Sequence, residues 1–383
     1  MYTLNPDAFN LDVFLRDYWQ KKPLLVRGAF KDFVDPIEAD ELAGLAMEEE
    51  IESRLITKQA NTWEVTHGPF EDFSGLDEQG WSLLVQAVDH WHPEAAKLLT
   101  PFRFLPNWRI DDLMVSFSVP GGGVGPHLDQ YDVFIVQGQG KRRWRVGLEQ
   151  DTEAHIPHPD LSQVKHFEPV IDEILEPGDF IYIPPGCPHD GIAIEASMNY
   201  SVGFRAPSQK DLLSSFADYL IDEELGQFRY ADPDIKPRDN PGELLAAERQ
   251  KLAGLMQASL SDPAILEAWL GQYLTQPKHE LDLAPPEQAY ETEEVKRLAD
   301  EYSLLRLGGL RCIYHEEKAG TALFINSERF ILDHQSQEFA SILCNREEIE
   351  KSFLNTWLDD DHKLELLTTL INRGYWYFSD VTA

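Results

Sequence analysis

The sequence predicts a mainly β core followed by a helical region and a small α+β domain. Three observations carry that prediction. Between Ile110 and Phe204, short runs of β-branched and aromatic residues alternate with Gly and Pro turns. From Ser208 to about residue 278, apolar residues recur at helical spacing instead. Beyond a Pro-containing stretch, LDLAPPEQAY (281–290), strand-like and helix-like segments mix. A chain of 383 residues has room for two or three domains of roughly 100–200 residues. The boundaries drawn from these shifts are 1–207, 208–280 and 281–383.

Each element follows from its local pattern. Leu11 to Tyr18 reads as a helix, and Pro23 breaks the chain into a strand, PLLV. WSLLVQAVDHW (81–91) has helical periodicity. LMVSFSV (113–119), DVFIVQ (132–137), RRWRVG (142–147), DFIYIP (179–184) and MNYSVGF (198–204) read as strands. Many short strands with such turns predict an antiparallel sandwich or barrel, not a doubly wound parallel sheet. In SQKDLLSSFADYLIDEEL, Leu212, Phe216, Tyr219 and Leu220 recur at helical spacing, and Gly226 is a stop signal. Leu245, Leu252, Leu255 and Met256 form a second stripe. Ser261-Asp262-Pro263 starts a helix carrying Leu266, Trp269, Leu270 and Tyr273. These stripes are expected to pack against the first domain. The same faces can also bury themselves in a second copy of the chain, which makes a homodimer plausible. Residues 291–302 read as a helix, then come LLRLGG, RCIYH, ALFIN and RFIL as strands and two helices before GYWYFSD. The pattern resembles a winged-helix module. It has no basic cluster, so a protein-contact or structural role is expected of it.

Charge and cysteines exclude several functions. Lys and Arg number 33 against 67 Asp and Glu, a net charge of −34. That field repels duplex DNA and any phosphate backbone and attracts basic partners. Solubility alone is the plainer reading of the same charge. Cys187, Cys312 and Cys344 are odd in number and far apart, so neither a disulfide framework nor a zinc ribbon is expected. The acidic start MYTLNPDAFNLDVFL lacks the features of a signal peptide, and no long apolar run occurs. A cytoplasmic location and no membrane association are expected.

The chemistry rests on two motifs. Pro126-His127-Leu128-Asp129 follows a strand and the turn PGGGVG. Side chains at i and i+2 on extended backbone share a face, so His127 and Asp129 can meet one cation. A lone His-x-Asp is more often a surface pair. Here, about 60 residues on, Glu176-Pro177-Gly178-Asp179, a strand and Pro185-Gly186-Cys187-Pro188-His189 supply a third ligand on a rigid bend. His127, Asp129 and His189 make a two-histidine, one-carboxylate triad, the donor set of Fe(II) oxygen chemistry. Cys187 is expected to pack rather than to ligate. His90 and His92 diverge on the expected helix, and His155 and His158 lie in a Pro-containing loop; all four are read as surface or structural. A keto acid on the metal needs a cation for its far carboxylate. In Lys141-Arg142-Arg143-Trp144, alternation puts Arg142 and Trp144 on one face and Lys141 and Arg143 on the other. A planar guanidinium suits a carboxylate fork. The plainer reading of this cluster is a solvated edge strand.

At these residues the sequence resembles the JmjC-type 2-oxoglutarate oxygenases, and within them the bacterial ribosomal oxygenases. YWQKKPLLVRG, SRLITKQANTWEVTHGPF, SFSVPGGGVGPHLDQYDVFIVQGQGKRRWRVG, LEPGDFIYIPPGCPH and NYSVGFRAP carry the resemblance, which spans nearly the whole chain. It implies a double-stranded β-helix core of JmjC/cupin type, a helical dimerisation region and a winged-helix-like C-terminal domain. It implies Fe(II), with 2-oxoglutarate and O2 as cosubstrates. It matches His127, Asp129 and His189 to the iron ligands, and Ser116 and Arg142 to the cosubstrate-binding positions. Asn199, Tyr200 and Ser201 begin a pocket-lining strand. The implied reaction is hydroxylation of an arginine β-carbon in large-subunit ribosomal protein sixteen, a basic partner. Two alternatives stand beside it: an oxygenase of the same fold acting on a histidine or an RNA nucleoside, and a non-catalytic cupin-like protein-binding module.

Overall fold

The computed structural model of the chain describes residues 2–60 and 62–379. It contains two compact units, each assembled from separate stretches of sequence. The first comprises Met1–Ala206, Pro277–Leu310 and Arg346–Ala383; the second comprises Pro207–Gln276 and Arg311–Asn345.

In the first unit, strands β1 (Leu24–Val26), β2 (Ser53–Gln59), β3 (Thr62–His67), β4 (Trp81–Val85), β5 (Ile110–Ser118) and β6 (Asp132–Gln137) precede β7 (Arg142–Gly147) and β8 (Ala154–His158). Then follow β9 (Leu161–Val164), β10 (Pro169–Leu175), β11 (Phe180–Ile183), β12 (His189–Ala193) and β13 (Ser197–Phe204). An eight-stranded sheet runs β1-β11-β6-β13-β5-β4-β2-β3, a three-stranded sheet runs β10-β7-β12, and β8 pairs with β9. Every pairing among these strands is antiparallel, as the short aromatic runs predict.

Both faces of the large sheet are covered, which is why β6 is buried at every position. Phe134, Val136, Phe180 and Tyr182 point outward, into a core shared with Phe14 of α1 (Leu11–Asp17) and Leu42 of α2 (Ala39–Leu45). Their sequence neighbours Val133, Ile135, Ile181 and Ile183 point inward and pack with Trp144 and Val146 of the small sheet. The period-2 alternation of each strand thus feeds two cores.

Two expectations are corrected. WSLLVQAVDHW is not one helix: Trp81–Val85 is strand β4, and only α3 (Val88–Trp91) is helical, followed by α4 (Pro93–Ala96). β4 is buried from Ser82 to Val85, and an apolar run covered on both sides carries no period to separate helix from strand. His155 and His158 lie in strand β8. His90, read as surface or structural, takes the structural place: it is 9% exposed and its ring contacts the Glu280 carbonyl.

The C-terminal part of the first unit contains α8 (Thr292–Glu301), α10 (Lys351–Leu354) and α11 (Asp361–Asn372), with a sheet of order β18 (Glu348–Ile349), β14 (Leu304–Arg306) and β19 (Trp376–Phe378). The second unit contains α5 (Gln209–Asp222), α6 (Ala246–Leu260), α7 (Pro263–Leu274) and α9 (Gln337–Asn345). It also holds the meander β15 (Cys312–Glu317), β16 (Gly320–Ile325) and β17 (Glu328–Leu332). α7 lies so close to the meander that a Cβ at Gly271 would meet the Phe324 ring at 2.3 Å. The apolar stripe of α6 does not pack as expected: the helix buries no residue, and Met256 is 79% exposed.

Candidate active site

Glycines bring the two metal motifs together. His127 sits at the end of the PGGGVGP turn and pairs with His189 by two backbone hydrogen bonds of 2.9 and 2.8 Å. This close approach requires Gly123 and Gly125. A Cβ on Gly123 would lie 2.4 Å from the Gly191 carbonyl oxygen, and one on Gly125 would lie 2.2 Å from the Gln163 side chain. Gly125 also has φ +77°, a conformation that costs glycine nothing.

The three side chains converge as the spacing predicts. His127 Nε2 lies 3.9 Å and His189 Nε2 3.5 Å from Asp129 Oδ2, and all three donor atoms fall within 4.8 Å of one another. Each imidazole is oriented from behind. With the proton on Nδ1, His127 donates to the Gly125 carbonyl at 2.9 Å and His189 donates to the Cys187 carbonyl at 3.0 Å. That tautomer turns the Nε2 lone pairs toward Asp129, as metal-binding histidines require. Cys187 therefore contributes its backbone, and its thiol is buried in the core with Val146 and Ile181.

Electrostatics keep most of the set ligand-competent. Burial and then His189 push the His127 pKa down to about 4, so its ring is neutral. Burial raises Asp129, but its hydrogen bond to His189 and the two imidazoles outweigh that and bring it to about 2. Burial lowers His189, yet Asp129 draws it above its ordinary value, so a proton competes with a cation there. Among the described residues one further His/carboxylate group gathers, Glu267, His315 and Glu317, but Glu317 is already held by Arg329.

The triad opens into a cavity of about 310 Å³ that also reaches Ser116, Arg142, Trp144 and Asn199. Arg142 and Trp144 face this cavity, whereas Arg143 and Lys141 face away and pair with Asp172 and Glu176. The cluster is not an edge strand, since β7 is central in its sheet. Among the described residues Arg142 meets only oxygens of serines: Ser116 at 3.3 Å, Ser118 at 2.8 Å and Ser197 at 3.3 Å. Burial without a counter-ion pushes its pKa down to about 9. Arg142 Nε, Trp144 Nε1 and Asn199 Oδ1 are buried with no hydrogen-bond partner. Unmatched polar atoms on one cavity, beside an uncompensated cation, fit an anionic ligand with further polar groups. The Nε2, Nε2, Oδ2 donor set fits a divalent metal of the iron type.

Sequence reasoning missed Ser118, Ser197 and the cavity-lining Asp111 and Asp112, of which Asp111 is paired with Arg205 and Lys278. Ser118 was within reach, since it lies two residues beyond Ser116 and must share its face. Asp112 carries no motif. It is buried, accepts a hydrogen bond from the Ala87 amide at 2.9 Å, and is pushed up to about 7 by burial and by Asp89.

Residues 97–212 match the JmjC domain family, and residues 258–377 match the ROXA-like winged helix. The chain is 50% identical to the ribosomal protein uL16 3-hydroxylase of Escherichia coli strain K12, over 97% of this chain and 98% of that one. It is also similar to the X-ray structure of E. coli ycfD, with TM-score 0.93, 49% identity, and 99% and 100% of the two chains covered. The E. coli YcfD ribosomal oxygenase in complex with cobalt and 2-oxoglutarate matches with TM-score 0.91 and 47% identity, over 99% and 100% of the chains.

Proposed function

Because this chain belongs to the family of JmjC ribosomal oxygenases that includes the E. coli uL16 3-hydroxylase, we propose that it hydroxylates the β-carbon of an arginine in ribosomal protein uL16. It is a 2-oxoglutarate-dependent dioxygenase that uses Fe(II) and O2. The observation that carries the reading is the single cavity shared by the two-histidine, one-aspartate triad and the uncompensated Arg142.

The residues divide the work. His127, Asp129 and His189 would hold the metal on one side and leave its other positions free. Arg142, with Ser116 beside it, would hold the far carboxylate of the keto acid. Bound iron and 2-oxoglutarate supply the oxidising chemistry: one oxygen of O2 enters a C–H bond of the target, the other enters succinate, and CO2 leaves. Asp112 gives the cavity a carboxyl group and Tyr131 gives it an aromatic face, while Asp111 beside them is already paired with Arg205 and Lys278. Asp112 suits a guanidinium, because a cation beside it offsets the burial and the Asp89 charge that hold its carboxyl toward the protonated form. The same feature disfavours an RNA nucleoside, whose phosphates the acidic chain repels.

Three finer points complete the proposal. The segments 1–207, 208–280 and 281–383 serve as oxygenase, dimerisation and winged-helix-like modules. The chain forms a homodimer through its helical segment, supported by the exposed leucines and methionine of α6. It works in the cytoplasm, where a ribosomal protein is met; no helix among the described residues is long and apolar enough to cross a membrane.

The test is intact-mass and fragment analysis of purified uL16 incubated with enzyme, Fe(II) and 2-oxoglutarate. One added oxygen on an arginine side chain is expected. An unmodified uL16, or oxygen on a histidine, overturns the substrate assignment.

A further inference from the structure

Arg142 is held by neutral oxygens, and one of those oxygens is itself held from behind. Ser82 of β4, Ser118 of β5 and Ser197 of β13 stand opposite one another across three adjacent strands. All three are buried, at 1%, 0% and 0% exposure. A guanidinium carries donors only, so Ser118 Oγ accepts from Arg142 Nη2 at 2.8 Å. A hydroxyl oxygen has two lone pairs and one proton, so Ser118 can make a further hydrogen bond on its other side. Ser82 Oγ lies 2.7 Å away and shares one hydrogen bond with it, in which either hydroxyl can donate.

We propose that Ser82 is a positioning residue for the keto acid: it fixes the hydroxyl of Ser118, and Ser118 sets the angle at which Arg142 meets the far carboxylate. Ser82 also lines the cavity, but its hydrogen bond is to Ser118 and not to the guanidinium. In this role it acts through Ser118. The hydrogen bond with Ser82 fixes where the Ser118 oxygen sits, and when Ser118 is its donor it also makes that oxygen a stronger acceptor for the cation. The arrangement also explains why serines, not an aspartate, hold Arg142. An aspartate would fix the arginine equally well, but it would neutralise the charge that the ligand must meet.

The inference rests on Arg142 being the cosubstrate cation, so the experiment separates the two. Steady-state kinetics at varied 2-oxoglutarate with saturating uL16 are measured for S82A, S82T, S118A, S82A/S118A and R142A. Binding of 2-oxoglutarate to the Fe(II)-loaded proteins is followed anaerobically by calorimetry. S118A should raise the 2-oxoglutarate KM roughly 10-fold, the worth of one hydrogen bond to a charged group. S82A should raise it roughly 3-fold, with kcat retained. The double variant should match S118A alone, because Ser82 has nothing to act through once Ser118 is gone. S82T keeps a hydroxyl and should bind 2-oxoglutarate as the parent does.

A structural role for Ser82 predicts something else: losses that multiply in the double variant and a fall in kcat. That outcome overturns the proposal, as does an S82A protein with unchanged 2-oxoglutarate affinity. If R142A raises the KM while the serine variants leave it alone, only the positioning role fails. If R142A leaves the KM untouched, the cosubstrate role of Arg142 falls and this inference falls with it.

Discussion

Arg142 carries a positive charge into a cavity wall where no carboxylate meets it, and that isolation is a binding device. Losing one partner of a buried charge pair costs about 2 kcal/mol or more, so R142A should raise the 2-oxoglutarate KM on the order of 30-fold. Alanine at Arg143 or Lys141 should leave it unchanged, because those cations serve Asp172 and Glu176 on the other face. Initial rates against 2-oxoglutarate decide this; a large KM effect at Arg143 would reverse the assignment. Asp112 is the opposite case, a carboxylate whose ionisation folding opposes. Its pKa is raised from 3.8 to about 7, so folding favours the protonated form. Its stabilising contribution is complete below the ordinary carboxylate value and is lost as pH rises through about 7. D112N keeps an acceptor for the Ala87 amide and cannot ionise. The thermal midpoint of D112N relative to the parent should therefore rise between about pH 4 and about pH 7. A difference that stays flat across that window would show that Asp112 ionises freely in the fold.

At the scale of the element, the legible and the illegible parts separate by cause. β7 was legible because Arg142, Arg143, Trp144 and Arg145 alternate between a buried and a solvated face. β4 was not, because both of its faces are covered and the alternation disappears. The triad was legible because two turns carry Gly and Pro at fixed places beside the ligands. Asp112 was illegible, since its place on the cavity is set by strand pairing and not by any neighbour in sequence. α6 shows the limit from the other side. Its leucines have helical spacing, but spacing does not say what covers them. In the structure Leu252 and Met256 are 43% and 79% exposed. An apolar stripe without cover inside its own chain is a self-association surface if a second copy supplies the cover. Charge at its centre should then split the dimer. L252E/M256E is expected to sediment as a monomer at concentrations where the parent is a dimer, with its far-UV circular dichroism unchanged. A parent that is already monomeric removes α6 from consideration as an interface.

At the scale of the whole molecule, charge decides how the two ligands arrive. The chain carries −34, so a basic ribosomal protein approaches down a potential gradient while the keto acid, itself an anion, approaches against one. Salt acts on these two approaches with opposite sign. The screening length shrinks from about 10 Å at 0.1 M to about 3 Å at 1 M, which removes long-range attraction and repulsion alike. It does little to contacts already made in a buried site. Raising salt from about 0.05 M to about 0.5 M should therefore lower kcat/KM for uL16 by roughly tenfold, mainly through slower encounter. The 2-oxoglutarate KM should stay level or fall slightly, because Arg142 is 5% exposed and is shielded from counter-ions. The keto acid thus serves as an internal control in the same assay. Parallel losses for both ligands would mean that salt disturbs the enzyme itself. A uL16 rate indifferent to salt would mean that the acidic surface serves solubility alone, and that recognition begins only at the cavity.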